Sequence, residues 1–460
     1  MLPAGARDRF EDVVGPLGCL DSPEDLKLYE YDGGVDTHPP DLVLFPRSVE
    51  DVAAISRIAH ELRIPLVGRG AGTGLSGGSI PCQGGVVVAF ARMNRILEID
   101  LENERAIVEP GVVNLDITEA VEGQGYFFAP DPSSQRACTL GGNVAENAGG
   151  AHAPAYGVTT NHVLGLEFVL PGGAIVQTGG KEPDLPGYDL TGLLTGSEGA
   201  IGLVTKVIVR LMRKPEAVRT ALAVYDSVEA AARAVTEIAA RAIAPAAMEL
   251  FDGPMLRAIE EATQVGYPMD ASAVLLVELA GARERVKEEV ERVREACLAA
   301  GARKFRVART PNERDPLWKG RNDAFGAVGR ISPAYCAPDG VVPRTEIPGA
   351  LGFIGEVSER YGLAIGRIVH AADGAIQSVI LFDPRRPGDP EKARAAGEEI
   401  LRYCIGVGGS ITGEHGVGME KVNLMGRLFS EESLAMMRGL QLAFDPGGIL
   451  NPGKVLPAGG

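Results

Sequence analysis

The stretch "GRGAGTGLSGGS" at residues 68–79 decides the fold. Gly72, Gly74 and Gly77 fit the G-x-G-x-x-G spacing, and "IPLVG" before them reads as a strand. A dinucleotide fingerprint of the Rossmann kind needs a helix directly after the glycines. Here "GSIPCQGGVVVAF" follows, more glycine and then a second strand. The Rossmann reading therefore fails, and no G-x-x-x-x-G-K-[ST] phosphate loop occurs anywhere in the chain. What remains is physical: successive glycines expose backbone N–H groups in a concavity that suits a pyrophosphate.

Outward from that loop, "SVEDVAAISRIAHEL" (residues 48–62) reads as a helix. Ser48 caps it, Glu50 and Asp51 suit its positive end, and Val52, Ile55, Ile58, Ala59 and Leu62 recur at helical spacing. Short apolar runs after it read as strands up to about residue 210, and a charged, proline-marked break at residues 214–216 ends the region. Beyond the break, apolar strands alternate with helices, which suggests a mixed or antiparallel sheet. The charge run at residues 283–294 reads as the wet face of an amphipathic helix. The expected organisation is a first domain over 1–215, a second over 216–440, and a tail over 441–460 that returns to the first.

At 460 residues the chain is long enough for two cores, and its net charge of −16 argues against nucleic acid. The start carries no secretory signature and no apolar run approaches 20 residues, so a cytoplasmic location is expected. Six scattered cysteines without a Cys-x-x-Cys pair read as free thiols rather than zinc or iron–sulfur ligands.

Two further segments add polar backbone and short side chains: "PDPSSQRACTLGGNVAENAGG" (130–150) and "GSEGAIGLVTKV" (196–207). Together with "RGAGTGLSGG" and "FDPGGILNPGK", in this order, they resemble the FAD-binding domain of the vanillyl-alcohol oxidase/para-cresol methylhydroxylase (PCMH) superfamily. More narrowly the chain resembles the D subunit of glycolate oxidase and the related D-lactate and D-2-hydroxyglutarate dehydrogenases, over nearly its whole length. The resemblance implies an α+β protein: a two-part FAD-binding domain of PCMH type, and an α+β substrate (cap) domain with a mostly antiparallel sheet. It implies one FAD held by Arg69, Gly70, Ala71, Gly72, Thr73 and Gly74 in the first loop. Further contacts are implied from Pro130, Asp131, Ser133, Ser134, Thr139, Gly141, Gly142, Asn143, Ala145 and Asn147, and from Glu198, Gly199, Ile201 and Asn451. Members that tether FAD do so through a His in the first loop; Thr73 stands there, so the flavin is expected to be non-covalent.

The activity implied is oxidation of a small D-2-hydroxy acid. His415 in "SITGEHGVGMEK" (410–421) corresponds to the base, and Arg321 in "PLWKGRNDAF" (316–325) to the carboxylate-binding residue. The family hairpin H-x-G-D-G-N-x-H supplies two histidines that, with the Glu of the GEHGVG motif, bind zinc or manganese. His370 and Glu414 are kept, while Gln377 replaces the second His and Ala375 the Asn. Asp373-Gly374 read as a two-residue turn would set His370 directly opposite Gln377. A Gln oxygen is a poor zinc ligand beside imidazole. Two outcomes stay open: a metal on His370, Glu414 and Gln377, or a hydrogen-bonded histidine within a sheet. The family also implies an electron acceptor, an iron–sulfur partner subunit among the candidates, and with it peripheral association with a membrane and a homo- or hetero-oligomeric state.

Overall fold

The computed structural model describes residues 2–181 and 186–458. The chain folds as two compact units: Met1–Gly149, Gly157–Arg213 and Glu414–Gly460 in the first, Gly150–Tyr156 and Lys214–Gly413 in the second. The last segment of the first unit begins at Glu414, and a short excursion at Gly150–Tyr156 belongs to the second.

The first unit holds two sheets. In one, Leu42–Leu44, Val86–Ala89 and Leu66–Arg69 run parallel, and Cys19–Leu20 adds an antiparallel edge. The helix Val49–Leu62 makes the crossover from Leu42–Leu44 to the parallel strand Leu66–Arg69, with Val86–Ala89 between them in the sheet. The Ser48 side chain accepts from Asp51 N, and Val52, Ile55, Ile58 and Ala59 are buried as their spacing predicts. The second sheet is antiparallel, in the order Ile96–Asp100, Arg105–Val108, Leu203–Arg210, Val163–Val169, Ile175–Gly179. The C-terminal segment joins the first sheet: Leu66 N donates to Ile449 O, and Asn451 N to Leu66 O, each at 2.8 Å.

The second unit is built on an eight-stranded antiparallel sheet. Its strands are covered on both faces, so they read as almost unbroken apolar runs such as "AVLLVEL". Helices Val228–Ala240, Arg283–Ala299, Ile347–Tyr361 and Asp389–Gly406 cover one face. Arg283–Ala299 buries Val286, Val290, Val293, Ala296 and Cys297 and turns its charges outward. The other face is covered by Gly253–Thr263, Pro311–Asn322 and Ala324–Val328, and it carries a seam of buried polar residues. Three cross-strand pairs make that seam: Thr220 with Glu278, Glu249 with His370, and Asp339 with Gln377.

The hairpin within this sheet differs from the two-residue reading. His370 pairs with Ala375 and Ile368 with Gln377, so Ala371 to Gly374 form a four-residue connection. A type I′ turn needs positive φ at both central residues, and only Gly374 has it, at 88°. Gly374 N instead donates to His370 O at 2.9 Å, and the Asp373 carboxylate accepts from Ala375 N at 3.1 Å. Gln377 still shares the face of His370, one diagonal step along. Among the described residues no helix is long and apolar enough to cross a membrane.

Candidate active site: a glycine cradle and a buried charge network

In the first unit the glycine loop wraps its own arginine. Gly72 has φ +69°, and a Cβ there would lie 2.3 Å from Arg69 Nη2. The guanidinium is buried, donates to Ser79 Oγ at 3.1 Å and lies over the Tyr29 ring. Asp32 fastens the outer edge by accepting from Gly77 N at 2.9 Å and Gly34 N at 2.7 Å. Burial pushes its carboxyl up, against those two amides and the charges of Arg69 and Lys454.

The second segment faces this loop. A Cβ on Gly70 would sit 2.1 Å from Thr139 Oγ1, and that buried hydroxyl has no hydrogen-bond partner in the protein. An orphaned hydroxyl beside a bare backbone suits the polar spine of a bound dinucleotide, so these residues fit FAD. Asn143 and Pro130 are tied through Asn114, whose amide donates to Pro130 O while its oxygen accepts from Asn143. The third segment docks on the second: Gly196 N donates to Val144 O and Glu198 N to Ala145 O, both at 2.8 Å. Asn147, at φ 54°, accepts from Thr160 N, and Ile201 packs in the core. The Asn451 amide is taken up by protein carbonyls, Glu198 O at 2.6 Å and Gly78 O at 2.9 Å.

The Glu198 side chain also has a structural task. Its two oxygens accept from Val417 N and Gly418 N, each at 2.7 Å, and so hold the segment that carries Glu414 and His415. Met419 N donates to Ser76 O at 3.0 Å, which sets the same segment against the glycine loop. Glu146 lies beneath it: a Cβ on Gly416 would be 2.1 Å from Glu146 Oε2. Burial and the adjacent Glu198 charge push Glu146 well up, with Lys421 and Lys454 opposing. Burial lowers Lys454 to about 8, against the charges of Cys82, Glu146, Glu198 and Asp32. Glu414 and His415 are both half-buried, and Glu414 Oε2 lies 3.2 Å from where a Gly149 Cβ would be.

In the second unit, Arg321 comes from the helix Pro311–Asn322 and is turned inward, 2% exposed, while Lys319 on the same helix points to solvent and meets Asp323. Its Nε donates to Glu249 Oε2 at 2.8 Å, and its Nη2 lies 3.1 Å from His370 Nε2. His370 Nδ1 lies 2.7 Å from Glu249 Oε1, and Gln377 Nε2 lies 3.2 Å from His370 Nε2. Burial alone would raise the Glu249 carboxyl, but the charges and hydrogen bonds of His370 and Arg321 hold it below its ordinary value. Trp318, the only tryptophan, is a core residue that donates to Glu278 at 2.6 Å. Glu278 also receives Thr220, His152 and Arg314; against burial, the bonds from His152 and Arg314 hold it at about 2. Asp339 accepts from Thr412 Oγ1 and Gly413 N.

The residues present do not fit the divalent metal that the hairpin motif implies. Among the described residues no three His, Cys, Asp or Glu side chains converge as a metal-binding set. Gln377 brings a neutral amide, and Arg321 brings a cation to the ring nitrogen a metal would use. Sequence reasoning missed Glu249, Asp32, Asp339 and Glu146. Glu249 left one trace, a lone acid in the otherwise apolar strand "AMELFD".

A glycine cradle with an orphaned hydroxyl, beside a loop carrying Glu and His, agrees with a flavin-dependent oxidoreductase, and the comparisons with known proteins show that class. Two family models match: an FAD binding domain over residues 40–179 and the C-terminal domain of FAD linked oxidases over 214–455. The chain belongs to the FAD-linked oxidase family. It is 46% identical to glycolate oxidase subunit GlcD of Escherichia coli K12, over 97% of this chain and 90% of that protein. It is 41% identical to the Bacillus subtilis protein of the same name, over 99% and 97%. Its fold matches 4-ethylphenol oxidase from Gulosibacter chungangensis, with a TM-score of 0.84 at 21% identity over 100% of this chain and 99% of that one. p-Cresol methylhydroxylase follows at TM-score 0.82 and 20% identity, over 98% of each chain.

Proposed function

We propose that the protein oxidises a small D-2-hydroxy acid, of the glycolate or D-lactate kind, to the 2-keto acid with non-covalently held FAD. FAD, when bound, would supply the acceptor for the hydride of the substrate carbon. The loops of the first unit hold the cofactor, with Thr139 and the glycine backbone as donors to it. His415 takes the hydroxyl proton, a step imidazole basicity suits at neutral pH. Arg321 supplies the positive charge that the substrate carboxylate meets, presented by Glu249. Glu414 and His370 orient the hydroxyl.

The observation that carries this reading is the His415 segment itself, tied to Glu198 through Val417 and Gly418 and to the glycine loop through Met419. The names of the relatives, glycolate oxidase subunits and a probable D-lactate dehydrogenase of Danio rerio, support the substrate class. The word subunit in those names supports a partner that removes the electrons.

The test is the visible spectrum of the FAD-loaded protein, kept anaerobic, on addition of glycolate, D-lactate and D-2-hydroxyglutarate. Bleaching by one acid, abolished by His415→Ala with FAD still bound, is the expected result. One observation favours a second reading, in which the same scaffold takes another alcohol or serves as a non-catalytic FAD-binding subunit: Gln377 in the family's His position. A flavin that stays oxidised with every acid yet bleaches with dithionite would favour it.

A further inference from the structure

We propose that Lys421 is a positioning residue for His415: its buried ammonium grips the carbonyl edge of the peptide that follows Gly416, opposite the carboxylate of Glu198. The proposal rests on the reading of His415 as the base, and it adds the device that sets the imidazole in place.

The need for such a device lies in the backbone. Gly416 and Gly418 follow His415 with φ of 81° and 52°, so no side chain on either side of Val417 can fix the segment by packing. Nor is there room for one, since a Cβ on Gly418 would enter Ser76 O and a Cβ on Gly416 would enter Glu146 Oε2. Hydrogen bonds to the backbone must then do what packing does elsewhere.

Three of them converge on one peptide and its neighbour. A trans peptide turns its C=O and N–H to opposite edges. On the unit between Gly416 and Val417, Lys421 Nζ donates to Gly416 O at 2.9 Å, and Val417 N donates to Glu198 Oε1 at 2.7 Å. Gly418 N adds a bond to Glu198 Oε2, also at 2.7 Å. Each edge meets the charge that suits it, a cation on the carbonyl and a carboxylate on the N–H, and bonds to charged groups are the strong ones. Lys421 N donates to Val417 O at 3.0 Å, which closes the turn that brings the ammonium back to Gly416.

Charge balance is the competing role. Lys421 is 0% exposed; Glu146 and Glu198 act on its charge, Glu420 Oε2 lies 3.7 Å from its Nζ, and Lys454 is a second cation beside Glu146 and Glu198. Balance alone needs an ammonium somewhere among these carboxyls. It does not need one at hydrogen-bonding distance from a carbonyl one residue beyond His415.

The test is anaerobic reduction of the FAD-loaded protein by its acid substrate in H2O and in D2O, with backbone hydrogen exchange of residues 414–418 followed by mass spectrometry. Lys421→Met removes the ammonium and keeps the length of the side chain. Lys421→Met combined with Glu146→Gln removes a cation and a carboxyl together, so the buried charge stays balanced. In both variants flavin reduction should slow by about tenfold to a hundredfold with FAD retained, as for a misplaced reacting group. The solvent isotope effect should rise, because proton transfer to a displaced base limits the rate more strongly, and exchange over 414–418 should quicken. Recovery of the natural rate and exchange in the double variant would overturn the proposal, since Lys421 would then only balance charge. So would a lowered thermal midpoint with rate, isotope effect and exchange unchanged, the signature of a merely structural lysine. If Lys421→Met fails to fold, the balanced double variant decides. If no acid bleaches the natural protein, the reading of His415 fails, while exchange over 414–418 still decides whether Lys421 holds the segment.

Discussion

Replacing Glu198 by Gln tests how the His415 segment is held. The carboxylate accepts two backbone N–H groups at 2.7 Å, from Val417 and Gly418, in a buried setting. A Gln keeps one accepting oxygen and turns an NH2 toward the second N–H, so one charge-assisted bond is lost and one amide is left opposed. Hydrogen bonds to a charged group contribute about 1.5–3 kcal/mol each. Relief of the repulsion between Glu198 and Glu146 offsets part of that cost. A net loss of about 1.5–2.5 kcal/mol in holding the segment corresponds to roughly a tenfold to seventyfold fall in any step that needs His415 in place. The assay is anaerobic stopped-flow reduction of the FAD-loaded protein by its acid substrate, with flavin content measured alongside. The expected result is slower reduction with FAD retained and, because the variant lacks one of two adjacent buried carboxyls, an altered acid limb of the pH profile. An unchanged reduction rate and pH profile would refute the reasoning, because the segment would then be held without Glu198.

Gly70→Ala should lose FAD, since its Cβ would enter the Thr139 hydroxyl; co-purified flavin, read by absorbance, should fall sharply while the fold persists. Glu278→Gln should lower stability by about 3 kcal/mol, the free energy linked to holding its pKa near 2 rather than at its ordinary 4.5. That contribution is present above the unfolded value and lost as pH falls through about 2, so urea midpoints of variant and natural protein should converge toward strong acid. Arg321→Lys should cost activity despite the kept charge, because one ammonium cannot reproduce the fork that meets Glu249 and His370 together; flavin reduction should slow by at least about tenfold.

The legible parts of the sequence were those with a local pattern. Ser48 and the spaced Val52, Ile55 and Ile58 marked a helix, and the glycines at 70–77 marked a backbone-lined cradle, because caps and close approaches depend on neighbours in the chain. The hairpin at Asp373-Gly374 was legible, but its register was not. Two residues more in the connection were stabilised by bonds from Gly374 N to His370 O and from Ala375 N to Asp373, which the dipeptide alone does not reveal. Glu249 was beyond reach for a different reason. An acid in an apolar strand is tolerable only once Arg321 and His370, 72 and 121 residues away, are known to meet it. Glu198 lay inside a motif the family assigns to the cofactor, while its carboxylate serves a segment 219 residues further on.

The pairing of Leu66 with Leu450 also has a consequence for how the protein is made. A ribosome finishes the parallel strands of the first unit early, yet their last neighbour emerges only after the second unit, on the order of half a minute later at ordinary elongation rates. Throughout that interval the whole second unit is synthesised and free to fold, while the edge at Leu66 lacks its partner and Gly78 lacks the side chains of Asn451 and Lys454. Closure of the edge at Leu66 is therefore a late event in the life of the chain, and a chain that stopped short of Leu450 would carry its second unit joined to an unfinished first one.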